Sequence, residues 1–124
     1  MRRSTPRAKP YAKCPVETTL DVFGGRWKGI LLFHLLTNSA LRFGELRRRI
    51  PGATQRMLTL QLRELERSGC IARTVYAQVP PKVEYSITPH GRTLEPVVSS
   101  LCQWGMEHGG WKPQPVVDAS CLWA

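Results

Sequence analysis

The sequence predicts a mainly helical α+β domain, in which four helices, an antiparallel hairpin and a final helix follow one another. Apolar residues are spaced as in helices up to residue 69, alternate as in strands over residues 71–87, and return to helical spacing after Pro89. The 124 residues suit one domain, and a hydrophobic fraction of 42% is enough for one core. We expect that domain at residues 14–108, between a flexible basic arm (1–13) and a loosely ordered tail (109–124).

The first two helices are predicted on either side of a glycine pair. Cys14 stands where an N-cap would, Pro15 occupies the first helical position, and the glycines at 24–25 end the helix. The second helix is predicted over residues 27–37. It is apolar nearly all round, so we expect it to be buried on more than one side.

The third and fourth helices are predicted to form a helix-turn-helix. The third covers residues 43–50, and a turn follows at Pro51 and Gly52. Thr54 is the expected N-cap of the fourth helix, and Gly69 is well placed as the glycine that ends it.

The fourth helix has two chemically different faces. Leucines at positions i, i+4 and i+7 define the face that we expect to be buried: Leu58, Leu62 and Leu65. The opposite face carries side chains that can bond or touch the edges of DNA bases: Gln55, Arg56, Thr59, Leu60 and Arg63. The alternative is an ordinary surface helix, in which an exposed leucine such as Leu60 has no particular role.

The alternating residues after the fourth helix predict two strands, at residues 71–78 and 82–87. They are joined by a stiff tip that Lys82 makes basic, and the wing residues are Pro80, Pro81 and Lys82. Thr88 and Pro89 begin the last helix, and we expect Pro96 to kink it. A helix-turn-helix followed at once by a hairpin is the order of elements in a winged helix, with the hairpin as the wing.

The basic residues are concentrated in two parts of the chain. There are 18 Lys and Arg against 9 Asp and Glu, a formal net charge of +9. The excess lies in residues 1–13, which contain no acidic residue, and in residues 42–73, where every basic residue is arginine. Arginine suits phosphate and guanine, so this placement favours DNA over a merely solvated, salt-bridged face. We expect DNA-backbone contacts from Arg42, Arg47, Arg48, Thr54 and Arg73.

Other classes of function find little support in the sequence. No apolar run approaches the roughly 20 residues of a membrane helix, and no apolar segment follows the basic N-terminus, so we expect a cytoplasmic protein without a membrane role. The cysteines form no C-x-x-C pair and no histidine stands at ligand spacing, so neither a metal nor another cofactor is expected. The three histidines have no nucleophile at motif spacing, which argues against an enzyme.

Cys14 is the cysteine to which we assign a hypothetical regulatory role. A thiol at a helix N-terminus faces the positive end of the helix dipole, which favours the reactive thiolate. Lys13 adds to this effect and Glu17 opposes it. The hypothesis is an oxidation switch, and the alternative is a plain capping or buried cysteine. Cys70 and Cys102 are expected to be small buried residues.

Several short segments between residues 14 and 108 stand in a distinctive order along the chain. They include Cys14-Pro15-Val16-Glu17, Gly24-Gly25-Arg26-Trp27, Leu41-Arg42-Phe43-Gly44-Glu45-Leu46, Leu62-Arg63-Glu64-Leu65-Glu66, Val79-Pro80-Pro81-Lys82-Val83-Glu84-Tyr85 and Thr88-Pro89-His90-Gly91. Together these segments resemble the HxlR-type winged helix-turn-helix regulators. The order of so many segments is far more specific than any one of them.

The resemblance implies a bacterial transcription regulator that is dimeric. We expect it to bind double-stranded DNA as a homodimer at a palindromic operator and to act as a repressor, with activation as the alternative. The resemblance also implies that the fourth helix enters the major groove, that the hairpin is the wing, and that the terminal helices build the dimer interface. The residues expected at that interface are Val16, Leu20, Leu94, Val98, Leu101 and Trp104. Some relatives sense oxidants or electrophiles at the position of Cys14, so an oxidant or small-molecule effector is a further expectation. The alternative is a basic module that binds nucleic acid without sequence preference.

Overall fold

The computed structural model describes residues 14–110, which contain six helices and three strands. The helices are α1 (Pro15–Phe23), α2 (Lys28–Leu36), α3 (Phe43–Arg49), α4 (Gln55–Arg67), α5 (Pro89–Arg92) and α6 (Glu95–His108). The strands are β1 (Leu41–Arg42), β2 (Ile71–Tyr76) and β3 (Lys82–Ile87). The mainly helical α+β class is confirmed. The arm at residues 1–13 and the tail from residue 111 lie outside the described residues.

Local hydrogen bonds explain where α1 and α4 begin. The Thr54 hydroxyl accepts a bond from the Met57 N–H at 3.2 Å, which satisfies one of the free donors of the first turn of α4. At α1 the Glu17 carboxylate accepts a bond from the Cys14 N–H at 3.2 Å. Cys14 is therefore the N-cap residue, as predicted. Gly69, with φ of +83°, follows α4 in the left-handed conformation that glycine adopts readily.

The core is built mainly from leucines on α2, α3 and α4. Those with 2% or less of their surface exposed are Leu31, Leu32, Leu35, Leu46, Leu58, Leu62 and Leu65. The second helix contacts α1, α4, α6 and β3, so its burial on several sides is confirmed. Burying one such side chain is worth about 1.5–3 kcal/mol, and these leucines fix which face of α4 turns outward. No helix within residues 14–110 is long and apolar enough to cross a membrane.

The sheet has three antiparallel strands in the order β1-β3-β2. The second and third strands form the predicted hairpin, in which Tyr76 pairs with Lys82 at the turn end. The first of these strands ends at Tyr76 rather than at residue 78, because residues 77–81 make the turn. The strand β1 was not predicted, because two residues are too few to show alternation. It places Leu41 opposite Tyr85 and closes the sheet against α3.

The last helix is not one kinked helix, so that prediction was wrong. The chain forms the short α5, breaks at residues 93–94 and starts again as α6. Pro96 lies in the first turn of α6, where no N–H is needed for a hydrogen bond within the helix. Its ring also does not clash there with a carbonyl of a preceding turn of the same helix. Gly91 in α5 packs against the backbone carbonyl of Cys70, and a Cβ at this position would overlap that carbonyl.

Candidate nucleic-acid interface

The outward face of α4 carries the five side chains that were predicted to read bases. Gln55, Arg56, Leu60 and Arg63 are exposed and Thr59 is half-buried. The Thr59 hydroxyl donates to the Gln55 backbone carbonyl at 2.9 Å. Within residues 14–110 neither Arg56 nor Arg63 has an ion pair or a hydrogen bond. The buried leucines therefore present a face with free guanidinium groups and an exposed leucine to any partner.

The arginines of α3 extend this positive surface toward the start of α4. Arg47 and Arg48 are exposed and line, with the turn at Pro51, a cavity of about 480 Å³. Arg47 Nη1 lies 3.5 Å from Gln55 Oε1, at hydrogen-bond distance across the two helices. Because the N-terminus of α4 carries the positive end of its dipole, this junction is suited to phosphate oxygens. Arg42 is also exposed, at the start of α3.

A second polar cavity, of about 210 Å³, lies between the C-terminal half of α4 and the sheet. Its lining residues are Thr59, Arg63, Glu66, Arg73 and Tyr85. The Nε of Arg73 is 3.9 Å from Oε1 of Glu66. Burial raises the pKa of the Tyr85 phenol above 10.0, while the charges of Arg73 and Arg63 act in the opposite direction. Tyr85 was not among the sequence-predicted residues, because its place beside Arg73 depends on the register of the hairpin.

The wing is less basic at its tip than the sequence predicted. Lys82 is partly buried as the first residue of β3, and its Nζ lies 3.2 Å from Glu84 Oε2. The same Nζ lies 4.9 Å from the centroid of the Tyr76 ring. The Lys82 ammonium group is therefore held along the hairpin by the Glu84 carboxylate and the Tyr76 ring, and does not extend from the tip. The tip itself consists of Val79, which is 99% exposed, and the exposed prolines Pro80 and Pro81.

The exposed surface of α1 and α6 includes an apolar patch. Of the residues predicted for a dimer interface, four are largely exposed: Val16, Leu20, Leu101 and Trp104. Leu94 is half-buried, whereas Val98 is only 4% exposed and belongs to the core of the chain itself, so it leaves little surface for a partner. A groove of about 460 Å³ runs between α1, α2 and α6. Such a patch is typical of a protein contact surface.

The three cysteines that the structure describes differ in exposure. Cys14 is an exposed free thiol, Cys70 is buried, and Cys102 is partly buried in α6. Cys14 is thus accessible to solvent at the N-terminus of α1, which excludes the buried-cysteine alternative. Among residues 14–110, no three His, Cys, Asp or Glu side chains come together as a set that could hold a metal ion.

Known proteins resemble the chain in both sequence and fold. The model of the HxlR-like helix-turn-helix family matches residues 22–113. An uncharacterized HTH-type transcriptional regulator, YdeP from Bacillus subtilis (strain 168), is 64% identical over 98 residues, covering 79% of this chain and 76% of the relative. The solved structure of the reduced redox regulator HypR has a TM-score of 0.75 and 59% identity, and the match covers 78% of this chain and 95% of that one. Its oxidized form gives a TM-score of 0.74 and 61% identity, covering 77% and 97%.

Proposed function

Because the chain belongs to the HxlR-like helix-turn-helix family, we propose that it regulates transcription by binding double-stranded DNA as a homodimer at a palindromic operator. The observation that carries this proposal is the outward face of α4, where guanidinium groups that have no ion pair or hydrogen bond within residues 14–110 stand beside an exposed leucine. A helix whose opposite face is fixed by buried leucines can enter the major groove as a rigid unit. The proposed mode is repression by blocking polymerase, in the cytoplasm at the nucleoid.

Two sets of residues have different proposed roles on DNA. The side chains proposed to read bases are Gln55, Arg56, Thr59, Leu60 and Arg63. Arginine suits guanine, glutamine suits adenine, and leucine or threonine can touch the thymine methyl. The residues proposed to contact the backbone are Arg42, Arg47, Arg48, Thr54 and Arg73. Backbone contacts set the register of the protein on the duplex without selecting its sequence.

The homodimer is proposed to form through the exposed apolar residues of α1 and α6. A stable interface buries about 1,200–2,000 Å² in total, and its centre is enriched in aromatic residues. Trp104, 63% exposed on α6, is the residue best suited to that centre. A two-fold dimer places two copies of α4 on one duplex, which is why the operator is proposed to be palindromic.

Selection of bound duplexes from a random library tests the proposal. We expect an enriched palindrome with half-sites about one helical turn apart, 10–10.5 base pairs. Competition at about 200 mM salt then compares this palindrome with random DNA, because binding without sequence preference depends chiefly on phosphate contacts that salt weakens. Equal retention of both duplexes would instead identify a basic module without sequence preference.

We further propose that oxidation at Cys14 weakens operator binding. The thiol is exposed at the N-terminus of α1, and the fold is close to that of a redox regulator solved in reduced and oxidized forms. Diamide joins two thiols and takes up their two electrons and two protons, so cysteine added to the assay can supply the second thiol. We expect diamide with free cysteine to lower operator affinity, and to leave Cys14→Ser unaffected. The matched control is Cys102→Ser, which should respond as the unaltered protein does.

Release of the Cys14→Ser protein by diamide to the same extent would remove Cys14 from the response. The operator affinity of both serine variants without oxidant is measured first, by fluorescence anisotropy. This measurement separates an effect of the substitution itself on DNA binding from an effect on the response to oxidant.

A further inference from the structure

The cavity between α4 and the sheet combines groups that suit an anion. Arg73 and Tyr85 stand directly opposite each other on neighbouring strands, so their side chains share one face of the sheet. Arg63 approaches from α4, and Glu66 from the next turn of the same helix. Two guanidinium groups against one carboxylate leave a formal excess of one positive charge, which matches the single charge of a phosphodiester.

The Tyr85 hydroxyl is an available hydrogen-bond donor in this cavity. No group within residues 14–110 forms a hydrogen bond with it, although its ring packs against the core. Burial raises the pKa of the phenol, so the hydroxyl keeps its proton at neutral pH. A neutral donor next to a guanidinium can bond one anionic oxygen without adding charge to the site.

We propose that this cavity binds one phosphodiester of the DNA backbone, with the Tyr85 hydroxyl and the Arg73 guanidinium as donors. The site shares Thr59 and Arg63 with the reading face of α4, whereas the Arg47–Arg48 junction lies at the N-terminal end of the helix. Contacts with the DNA backbone at both ends of α4 would then fix the orientation of the helix in the major groove. This inference rests on the proposed function.

The test compares Tyr85→Phe with the unaltered protein on the selected operator and on random duplexes. We expect affinity to fall about tenfold on both, because a bond to a charged phosphate is lost and no base contact changes. The slope of affinity against salt should stay the same, since tyrosine is neutral. For Arg73→Gln we expect that slope to fall by about one. The matched control is Tyr76→Phe, whose hydroxyl already bonds Glu84 on the outer part of the hairpin.

A second measurement identifies the phosphate. Operators with single methylphosphonate substitutions are bound by the unaltered protein and by Tyr85→Phe. We expect one substituted position to weaken the unaltered protein and to have no further effect on the variant. Titration with inorganic phosphate alone should give no saturable binding, and saturable binding at low millimolar phosphate would overturn the assignment to DNA backbone.

Failure of the inference is distinguishable from failure of the proposed function. If Tyr85→Phe binds every duplex as the unaltered protein does, the phosphate site is wrong while operator selection stands. A loss confined to one base pair of the half-site would likewise overturn it, by making Tyr85 a base contact. If the unaltered protein selects no sequence, the proposed function fails, and a uniform loss in Tyr85→Phe still supports the phosphate site.

Discussion

The face of α4 and the surface of α1 and α6 are both exposed, yet their chemistry is opposite. The first carries guanidinium groups that have no ion pair within residues 14–110. The second carries Val16, Leu20, Leu101 and Trp104, whose apolar groups gain nothing from water. A surface with an excess of positive charge suits a hydrated, anionic partner, whereas an apolar surface suits a partner that excludes water from it. A change on the first surface should alter which DNA is bound, and a change on the second should alter assembly.

The largest effect is expected from a charge placed on the apolar surface. Trp104→Glu buries a carboxylate in the proposed interface, so we expect a monomer by analytical ultracentrifugation. Operator affinity should fall by roughly 10²–10⁴-fold, because the second half-site no longer contributes through a linked subunit.

The matched control for this change is Val79→Glu, which charges an exposed apolar residue of the wing instead. It should remain a dimer. A Trp104→Glu protein that stayed dimeric would show that α6 does not form the interface.

A smaller and more selective effect is expected on the reading face. Arg63→Ala should cost about 1–3 kcal/mol on the operator and relax selection at one position in each half-site. Competition with operators that carry single base-pair changes measures this. The control is Arg67→Ala, an exposed arginine in the last turn of the same helix. Equal losses on operator and random DNA would make Arg63 a backbone contact.

The smallest effect concerns the ion pair that joins α2 to the back of α4. Lys28 Nζ lies 2.6 Å from Glu64 Oε1 and holds the pKa of that carboxyl below 4.5. The pair therefore stabilises the fold above pH 4.5, and this contribution is lost as the pH falls through the lowered pKa. Glu64→Gln should lower the melting temperature slightly at pH 7 and by a smaller amount near pH 3.

Thermal unfolding at the two pH values checks this, with Glu107→Gln as the control, since Glu107 has no ion pair within the described part of the chain. A loss of stability in Glu64→Gln that was equal at both pH values would point to packing rather than charge. Neither substitution should change the selected operator, because neither residue lies on the reading face.

What could be predicted from the sequence was mostly local. The two faces of α4 follow from the spacing of Leu58, Leu62 and Leu65 along one helix, and the caps at Cys14 and Thr54 need only their next three residues. These features depend on contacts within one element, so the pattern determines them.

The rest depended on residues far apart in the chain. The strand β1 forms only because Leu41 meets Tyr85, and Tyr85 meets Arg73 only in the register that the hairpin adopts. Lys82 pairs along its own strand with Glu84, an interaction that the charge balance alone did not predict. Pro96 was predicted to kink one long helix, because the spacing of the apolar residues continues across the break. In the structure the chain breaks before Pro96, which lies in the first turn of the new helix α6.

The break at residues 93–94 also bears on the spacing of the half-sites that the proposed dimer would bind. It separates α5, which is attached to the sheet, from α6, which carries Trp104. In the proposed dimer joined through α6, the angle at which the chain turns here would contribute to the distance between the two copies of α4, together with the packing of α4 and α6 on α2. Half-sites on one side of a duplex are about 34–36 Å apart. A rotation of α6 by a few degrees at the break would displace the far end of the helix by a noticeable part of the rise between two base pairs. In the proposed dimer, this bend, which lies outside the reading face, should therefore influence the spacing of the half-sites that can be bound.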